Sequence, residues 1–305
     1  MRALIPTDGT SPMVTFGERP EPAPAAHEAI VAVQAYSLNR GETFLLERPR
    51  PDLRPGKDLA GTILKPAADG SGWPAGTRVV AHPPFGGWAE RVAVATTAMA
   101  PLPPGVTSEH AAALPLAGLT ALRLLRAAPP LAGRRVLLTG ASGGVGHYLT
   151  ELAAGAGARM TCVTATQARG ARLHELGAES IVTSLADVQG RFDVIFESVG
   201  GTALPRALQS LRAHGHLIWF GQASREPVTL DFFSLFAQAG ASVTHFHYED
   251  SDETIATDLA VLVGLLDRGR LHPEIGFIGD WGQTARAIDT LRARELRGKA
   301  VLRVR

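Results

Sequence analysis

The sequence is poor in the residues that would mark several common classes of protein. Its one cysteine, Cys162, cannot form an internal disulfide, and a Cys-rich tetrahedral zinc site cannot be assembled. Its 30 Lys and Arg residues nearly balance 29 Asp and Glu residues, without a basic stripe or an acidic tail, which argues against a nucleic acid or a membrane surface as partner. No stretch reaches the roughly 18 apolar residues of a membrane span, and residues 1–35 lack the apolar core of a signal peptide. We therefore expect a soluble protein in the reducing cytoplasm.

The first 130 residues combine many prolines with short apolar runs. Hydrophobic residues make up 45% of the chain and charged residues 19%, which excludes a disordered protein. Prolines at such density do not suit long helices. The runs between them have the length and composition of strands and predict a compact antiparallel barrel or sandwich. They cover residues 1–5, 28–36, 60–64, 78–81 and 89–95.

After residue 130 the pattern changes to apolar strands that alternate with helices. The strands are predicted at 135–139, 159–164, 192–197, 216–220 and 242–248. The helices are predicted at 145–156, 168–176, 202–211 and 232–239, and the tail adds helices at 252–269 and 283–294 and a strand at 300–304. Buried strands separated by single helices are typical of a parallel sheet covered on both faces. The sequence therefore predicts an α/β protein with a doubly wound, nucleotide-binding fold.

A glycine-rich segment connects the first of these strands directly to its helix. It contains Gly140, Gly143, Gly144 and Gly146, with Ser142 and Val145 among them. Glycines in such a turn let the backbone approach a pyrophosphate, and the free amides at the start of the helix meet its charge. Because the strand before it and the helix after it are both predicted, the segment indicates a dinucleotide-binding site rather than ordinary turn glycines.

The end of the second strand indicates which dinucleotide binds. An NAD-binding protein places an acidic residue there, about 20 residues beyond the glycine motif, to bind the ribose hydroxyls. Residues 152–174 contain no Asp or Glu and instead offer Thr164, Thr166, Arg169 and Arg172. Arginine can grip a phosphate through two parallel hydrogen bonds, so we predict NADPH, with Arg169 favoured over Arg172 for its 2′-phosphate. The alternative is that both arginines only solvate the surface of a helix.

Several short motifs, in their order and spacing, resemble those of the medium-chain dehydrogenase/reductase superfamily, within its zinc-free quinone oxidoreductase-like branch. They cover nearly the whole chain, at residues 37–42, 55–61, 76–79, 87–90, 114–121, the glycine turn, 176–178, 197–201 and 297–302. The resemblance implies a GroES-like catalytic domain at residues 1–115, to which residues 270–305 return. It also implies a Rossmann NADP-binding domain at residues 116–269, with the active site in the cleft between the domains.

The resemblance assigns roles to individual residues. It implies that Asn39 and Thr120 lie near the nicotinamide and its ribose and position them, and it assigns no acid or base. Further cofactor contacts, besides Thr166 and Arg169, are implied for Ser142, Gly143, Gly144, Val145, Gly146, Val199, Gly200, Phe220, Gly221, Arg294 and Lys299. Phe44 stands where many relatives have a tyrosine that orients the substrate carbonyl, so the proton donor is left open. Water would suffice for an enolate or a hydroquinone anion.

Zinc chemistry is disfavoured within the same resemblance. Zinc-dependent relatives carry a cysteine near the position of Asn39 and Gly-His-Glu where this chain has Gly56-Lys57-Asp58. A charged lysine cannot replace an imidazole ligand, so no metal site is predicted. Without a metal, hydride passes most readily to an acceptor that delocalises the arriving charge itself. We therefore predict a zinc-independent, NADPH-dependent reductase of a quinone or an α,β-unsaturated carbonyl.

Two other functions stay open at this point. One is an enoyl-thioester reductase, which would need a basic patch for a carrier phosphate that the sequence does not show. The other is a low-turnover NADPH-binding sensor or structural relative, which the absence of a tyrosine at Phe44 allows. The family also implies a homodimer in which strand 242–248 pairs with its symmetry mate and so removes an exposed sheet edge.

Overall fold

The computed structural model describes residues 1–305 and divides into two compact units. Unit 1 contains Met1–Leu119 and Asp252–Arg305, and unit 2 contains Thr120–Ser251. The sequence-based boundaries lie after residues 115 and 269 instead. The second boundary moves to residue 251 because the helix at Ile255–Asp267 packs against the strand at Met99–Pro101 in unit 1. No helix is long and apolar enough to cross a bilayer.

Short strands joined by loops make up the first part of unit 1, as the proline spacing predicts. Its elements are β1 (Arg2–Pro6), β2 (Val14–Glu18), β3 (Glu28–Ser37), α1 (Arg40–Leu45), β4 (Asp58–Lys65), β5 (Arg78–Ala81), β6 (Arg91–Ala95), β7 (Met99–Pro101), α2 (Ser108–Ala113) and α3 (Pro115–Ala127). Helix α3 contains the boundary with unit 2.

Unit 2 alternates strands and helices around one sheet. Its elements are β8 (Arg135–Leu138), α4 (Gly144–Gly155), β9 (Arg159–Val163), α5 (Gln167–Gly170), β10 (Ala178–Val182), β11 (Phe192–Glu197), α6 (Ala203–Gln209), β12 (Leu211–Trp219) and β13 (Ser242–His245). The six strands are parallel and lie in the order β10-β9-β8-β11-β12-β13. Since β9 lies on one side of β8 and β11 on the other, the predicted doubly wound fold is confirmed.

The C-terminal segment returns to unit 1 and completes its main sheet. It contributes α7 (Ile255–Asp267), β14 (Ile275–Asp280), α8 (Thr284–Arg292) and β15 (Lys299–Arg303). The sheet has the order β14-β15-β3-β4-β5-β7, with β6 also paired to β3. Strand β15 runs antiparallel to β3, with Val301 opposite Ser37. This pairing brings Lys299 next to the segment that follows β3.

The cores of the two units are built from different contacts. In unit 1, Tyr36 and Trp88 stack with ring centroids 5.8 Å apart, and the Tyr36 hydroxyl is hydrogen bonded to Thr284 Oγ1 at 2.6 Å. In unit 2, every residue of β11 is buried. A strand buried on both faces is what a parallel sheet covered by helices requires.

Two predicted helices of unit 2 are shorter than expected. The helix predicted at 168–176 is reduced to α5, and residues 171–177 form turns instead. Gly170 packs closely on β10, since a Cβ there would lie 2.9 Å from the Ile181 side chain. The helix predicted at 232–239 is a 3₁₀ helix at Phe233–Gln238, in which Phe233 and Phe236 are exposed and give it little buried apolar face. Strand β10 itself is not predicted.

Candidate active site

The glycine turn in unit 2 is held in one conformation by close contacts. Gly140 has a φ of 64°, a region that L side chains rarely adopt, and a Cβ there would lie 2.5 Å from Ser198 Oγ. Gly146, in the first turn of α4, packs so tightly on the turn that a Cβ would overlap the backbone of Ala141. Side chains at these two positions would therefore displace the loop.

Helix α4 begins without a capping side chain. Its N-cap is Gly143, and its first turn contains no acidic residue. The amides of Gly144, Val145 and Gly146 have no acceptor within the helix. Ser142, just before the N-cap, is buried. Unpaired amides and the positive end of the helix dipole fit a pyrophosphate.

The carboxyl end of β9 lies beside that of β8 and carries the residues predicted to bind a 2′-phosphate. Thr166 caps α5, since its Oγ1 accepts a hydrogen bond from the Arg169 amide at 3.3 Å. Thr164 Oγ1 donates to the Thr166 carbonyl at 2.9 Å. Arg169 is half-buried, whereas Arg172 Nε lies 3.9 Å from Glu175 Oε2. This strand end therefore offers a hydroxyl and a guanidinium group where an NAD-binding protein would offer a carboxylate.

The ends of β11 and β12 complete the same edge of the sheet. The Phe220 amide donates to the Glu197 carbonyl at 2.9 Å. A Cβ at Gly221 would lie 3.0 Å from the Ser198 carbonyl oxygen, and Gly200 adopts a φ of 70°. The carboxyl ends of parallel strands meet at one edge of a sheet, so these predicted residues lie along the edge that carries the glycine turn.

Glu197 belongs to this edge as well, although the motifs assign it no role. Its carboxylate is fully buried and accepts hydrogen bonds from Thr139 Oγ1 at 3.0 Å and from the amides of Val199 at 2.8 Å and Gly200 at 3.0 Å. Burial raises the pKa of Glu197, and these hydrogen bonds partly oppose the rise. The signal in the sequence is an acidic residue that ends a strand in which Asp193 is the only other polar residue.

A second set of polar side chains lies inside unit 1. The Lys299 ammonium donates to the Leu38 carbonyl at 3.0 Å, to Asn39 Oδ1 at 2.5 Å and to Asp58 Oδ2 at 3.1 Å. Asn39 Nδ2 donates to Asp58 Oδ2 at 2.8 Å and to Glu42 Oε2 at 3.2 Å. Both ends of the Asn39 carboxamide are thus bonded to buried side chains, which fixes its orientation.

His82 completes this group, which we term the polar cluster: Asn39, Glu42, Asp58, His82 and Lys299. His82 Nδ1 lies 3.1 Å from Asp58 Oδ1. No member of the cluster is more than 7% exposed. The cluster is therefore shielded from solvent, and its hydrogen bonds are with protein groups.

The two carboxyl groups of the polar cluster have pKa values shifted in opposite directions. Burial alone would raise the pKa of Asp58, but the Lys299 ammonium, His82 and the Asn39 amide together hold it well below its usual range. Burial raises the pKa of Glu42 to about 7, and the charge of Asp58 adds to that rise. The charge pair of the cluster is therefore Asp58 with Lys299, while Glu42 titrates near neutrality.

Three other residues singled out in the sequence occupy different settings. Thr120 is buried on α3. Arg294 is exposed after α8, with a φ of 61°. Phe44 is half-buried on α1 and has no hydroxyl group to donate.

Together, a mixed-sheet unit completed by its own C-terminal strand and a doubly wound unit with a glycine turn define a two-domain protein of the nucleotide-binding class. The family described as zinc-binding dehydrogenase matches residues 144–263. A mycobacterial protein solved in complex with NADPH is similar in structure, with a TM-score of 0.89 and 26% identity over 99% of this chain and 100% of that one.

Two relatives indicate to which family of oxidoreductases the chain belongs. The quinone oxidoreductase of Pseudomonas aeruginosa is 30% identical over 299 residues, which cover 92% of each protein. Crotonyl-CoA reductase of Streptomyces collinus is 32% identical over 226 residues, or 57% of this chain and 51% of that protein. The chain belongs to the quinone oxidoreductase family of medium-chain dehydrogenases/reductases, which confirms the resemblance seen in its motifs.

The residues of this chain do not fit the zinc ion that one family description implies. Zinc in proteins is held by thiolate, imidazole and carboxylate donors in tetrahedral geometry. No group of three or more His, Cys, Asp or Glu side chains could hold a metal ion. In the polar cluster the Asp58 carboxylate is bonded to the Lys299 ammonium, and Cys162 is buried in unit 2.

Proposed function

We propose that this oxidoreductase uses NADPH to reduce a quinone or an α,β-unsaturated carbonyl compound without a metal ion. The observation that carries the proposal is the uncapped start of α4 beside a strand end that presents Thr166 and Arg169 and no carboxylate. The NADPH complex of the mycobacterial relative supports the same cofactor. A cytoplasmic location is part of the proposal, and a chain with a single cysteine has no internal disulfide that would need an oxidising compartment.

In this proposal the edge of the unit 2 sheet binds the cofactor. The amides of Gly144, Val145 and Gly146 bind the pyrophosphate, with Ser142 and Gly143 beside it. Arg169 and the Thr166 hydroxyl, which still has its proton to donate, bind the 2′-phosphate. The same edge supplies further cofactor contacts from Val199, Gly200, Phe220 and Gly221. When bound, NADPH supplies a hydride for the acceptor.

The proposed contribution of the other residues is to position groups. Asn39 and Thr120 stay candidates for positioning the nicotinamide and its ribose. Because the Lys299 ammonium is bonded to Asn39 and Asp58, we propose that it acts through Asn39 rather than by direct contact with the cofactor. Arg294 stays a candidate cofactor contact. Phe44 cannot donate a proton, so we propose that water protonates the reduced product.

An assay of acceptors tests this function. Purified protein is mixed with NADPH and a panel of quinones, enones, enoyl-CoA thioesters and aldehydes, and the nicotinamide absorbance is followed. We expect consumption of NADPH with quinones or enones, unchanged by chelators because the proposed reaction needs no metal ion. An activity that appears only after zinc is added would contradict the proposal.

The relative from Streptomyces supports an enoyl thioester as the second candidate acceptor. Turnover confined to the CoA thioesters of the panel would favour that function. Tight NADPH binding without consumption on any acceptor would instead favour the low-turnover binding protein.

Arg169→Ala tests the choice of cofactor. The substitution removes charged hydrogen bonds worth about 1.5–3 kcal/mol, so the Kd for NADPH should rise about 10- to 100-fold. The Kd for NADH, which has no 2′-phosphate, should change little, and titration of nicotinamide fluorescence measures both. Arg172→Ala is the matched control, because Arg172 already faces Glu175. Equal losses for the two dinucleotides would remove the phosphate role of Arg169.

We also propose that the protein is a homodimer. Strand β13 is an edge of the unit 2 sheet, and Val243 on it is 46% exposed. A lysine on an edge strand opposes pairing with another chain. Val243→Lys should therefore convert a dimer into a monomer in light scattering after gel filtration. Val261→Lys, at an exposed position of α7, is the control, and a Val243→Lys variant that stays dimeric would exclude this edge.

A further inference from the structure

The Glu197 carboxylate lies at the point where the strand order of the unit 2 sheet reverses. Strands β8 and β11 are neighbours, and the order of strands reverses between them. Ligands of doubly wound sheets bind in the crevice at such a switch point, outside the carboxyl ends of the strands. Glu197 is the last residue of β11, and Thr139 directly follows β8. The hydrogen bond between them therefore crosses the floor of this crevice.

Three hydrogen bonds join the two turns that flank the crevice, the turn after β8 and the turn after β11. Thr139 Oγ1 donates to Glu197 Oε1 at 3.0 Å and accepts from the Ser198 amide at 2.9 Å. Ser198 Oγ donates to the Thr139 carbonyl at 3.0 Å. A Cβ at Gly140 would approach this Ser198 hydroxyl to 2.5 Å, so little free space separates the turns. The glycine turn and the turn after β11 thus form one hydrogen-bonded assembly.

The hydrogen bonds of the Glu197 carboxylate all come from uncharged donors. They are the Thr139 hydroxyl and the amides of Val199 and Gly200, and none is a cationic side chain. Each of these hydrogen bonds favours the ionised carboxylate and opposes the rise in pKa that burial causes. Two of these donors are backbone amides of residues that we propose to contact the cofactor.

We propose that Glu197 is a positioning residue for the dinucleotide, which acts by holding the Val199–Gly200 turn and, through Thr139, the glycine turn at their binding separation. The inference rests on the proposed NADPH cofactor. Glu197 itself is buried and acts through the backbone amides rather than by contact with the ligand. A neutral amide at this position would present N–H to N–H at one of the two turns and loosen it.

Two ligands separate positioning from general support of the fold. NADPH spans the crevice, whereas adenosine 2′-phosphate lacks both the pyrophosphate and the nicotinamide half and depends mainly on Thr166 and Arg169. For Glu197→Gln we expect the Kd for NADPH to rise about tenfold or more, since a buried donor loses its acceptor. The Kd for adenosine 2′-phosphate should change by less than about twofold, because this ligand has no phosphate to bind the glycine turn. Isothermal titration measures both, and Glu197→Asp, which keeps the charge, should recover part of the loss.

A second pair of variants keeps the test decisive if Glu197→Gln does not fold. Thr139→Val removes the hydroxyl that links the turns, and Thr139→Ser keeps it. The valine variant should lose NADPH affinity selectively and the serine variant should not. Equal losses for both ligands, or wild-type NADPH affinity in the glutamine and valine variants, would overturn the positioning role. A wild-type protein that binds neither ligand would overturn the proposed cofactor, and this inference with it.

Discussion

Each unit of the molecule buries a carboxylate near its predicted site residues, but the two charges are compensated differently. In unit 1, Asp58 faces the Lys299 ammonium at 3.1 Å, His82 at 3.1 Å and the Asn39 amide at 2.8 Å. In unit 2, Glu197 faces one hydroxyl and two backbone amides and no cation. The pKa of Asp58 is accordingly held below its usual range, whereas burial raises that of Glu197.

The Asp58 charge is thus balanced by a cationic side chain, whereas the Glu197 charge is balanced mainly by backbone amides, whose positions depend on loop conformation. The attraction between Asp58 and Lys299 offsets part of the cost of burying both charges, and the pairing of β15 with β3 sets their distance. A carboxylate stabilised by backbone amides keeps that stabilisation only while the amides stay in place. Asp58 in unit 1 therefore orients mainly side chains, with one backbone amide, that of Leu116, at 3.0 Å, whereas Glu197 in unit 2 holds two turns.

Lys299→Met is expected to have the largest effect, because it removes the cation on which the comparison depends. The variant leaves the buried Asp58 carboxylate without its ion partner, and breaking a buried pair in this way costs about 3–5 kcal/mol. Denaturant unfolding can be followed by tryptophan fluorescence, since Trp73, Trp88 and Trp281 report on unit 1 and only Trp219 on unit 2.

Arg303→Gln on the same strand β15 is the control for this experiment. Arg303 pairs with Glu109 at 2.7 Å, but its side chain is 45% exposed. Exposed pairs contribute about 0.2–1 kcal/mol, so this variant should lose far less stability. A loss of similar size in the two variants would mean that burial does not distinguish the Asp58 pair.

Glu42→Gln sharpens the comparison within the polar cluster through pH. The pKa of Glu42 is raised from 4.5 to about 7 in the folded protein. The native state therefore binds more protons than the unfolded state between these values, and the wild type loses stability as pH rises through this range. The glutamine variant lacks this loss. Its unfolding free energy should therefore rise relative to that of the wild type by about 1–3 kcal/mol between about pH 4.5 and pH 7.

Glu109→Gln provides the opposite sign in the same measurement. Burial opposes the shift, but the hydrogen bond from Arg303 leads in lowering the pKa of Glu109. A carboxyl group whose pKa is lowered on folding stabilises the protein above its unfolded pKa, and this stabilisation is lost as pH falls. The difference in unfolding free energy between Glu109→Gln and the wild type should therefore change only toward acidic pH. A Glu42→Gln difference that is constant with pH would show that Glu42 does not hold a proton in the folded protein.

The elements that carry the candidate site in unit 2 are the part that sequence patterns predict well. The glycine turn, the strand before it and the helix after it are adjacent in the chain, and the Thr166–Arg169 segment follows the next strand at a fixed spacing. Such local order determines both the fold and the position of a binding edge. The roles of these residues toward NADPH stay predictions.

The polar cluster in unit 1 could not be predicted from the sequence. Lys299 meets Asn39 and Asp58 only because β15 pairs with β3 after the chain has passed through unit 2. No local periodicity encodes a contact between residues 241 positions apart. Glu197 is hidden for a different reason, since its partners are backbone amides, which any sequence would supply.

Arg212→Gln is expected to have the smallest effect and tests whether burial, rather than the presence of a cation, sets the size of these energies. In unit 2, Asp193 is paired with Arg212 at 2.7 Å and with Arg134 at 3.3 Å, but the arginine side chains are 48% and 56% exposed. The remaining arginine and the Arg135 amide still satisfy the carboxylate, so the loss should stay below about 1 kcal/mol. The Debye length shrinks to about 3 Å at 1 M salt. The loss of unfolding free energy in Arg212→Gln should therefore nearly vanish at 1 M salt, whereas the loss in Lys299→Met should persist. Denaturant unfolding followed by circular dichroism at low and high salt measures both, and a salt-resistant loss in Arg212→Gln would show that exposure does not weaken this pair.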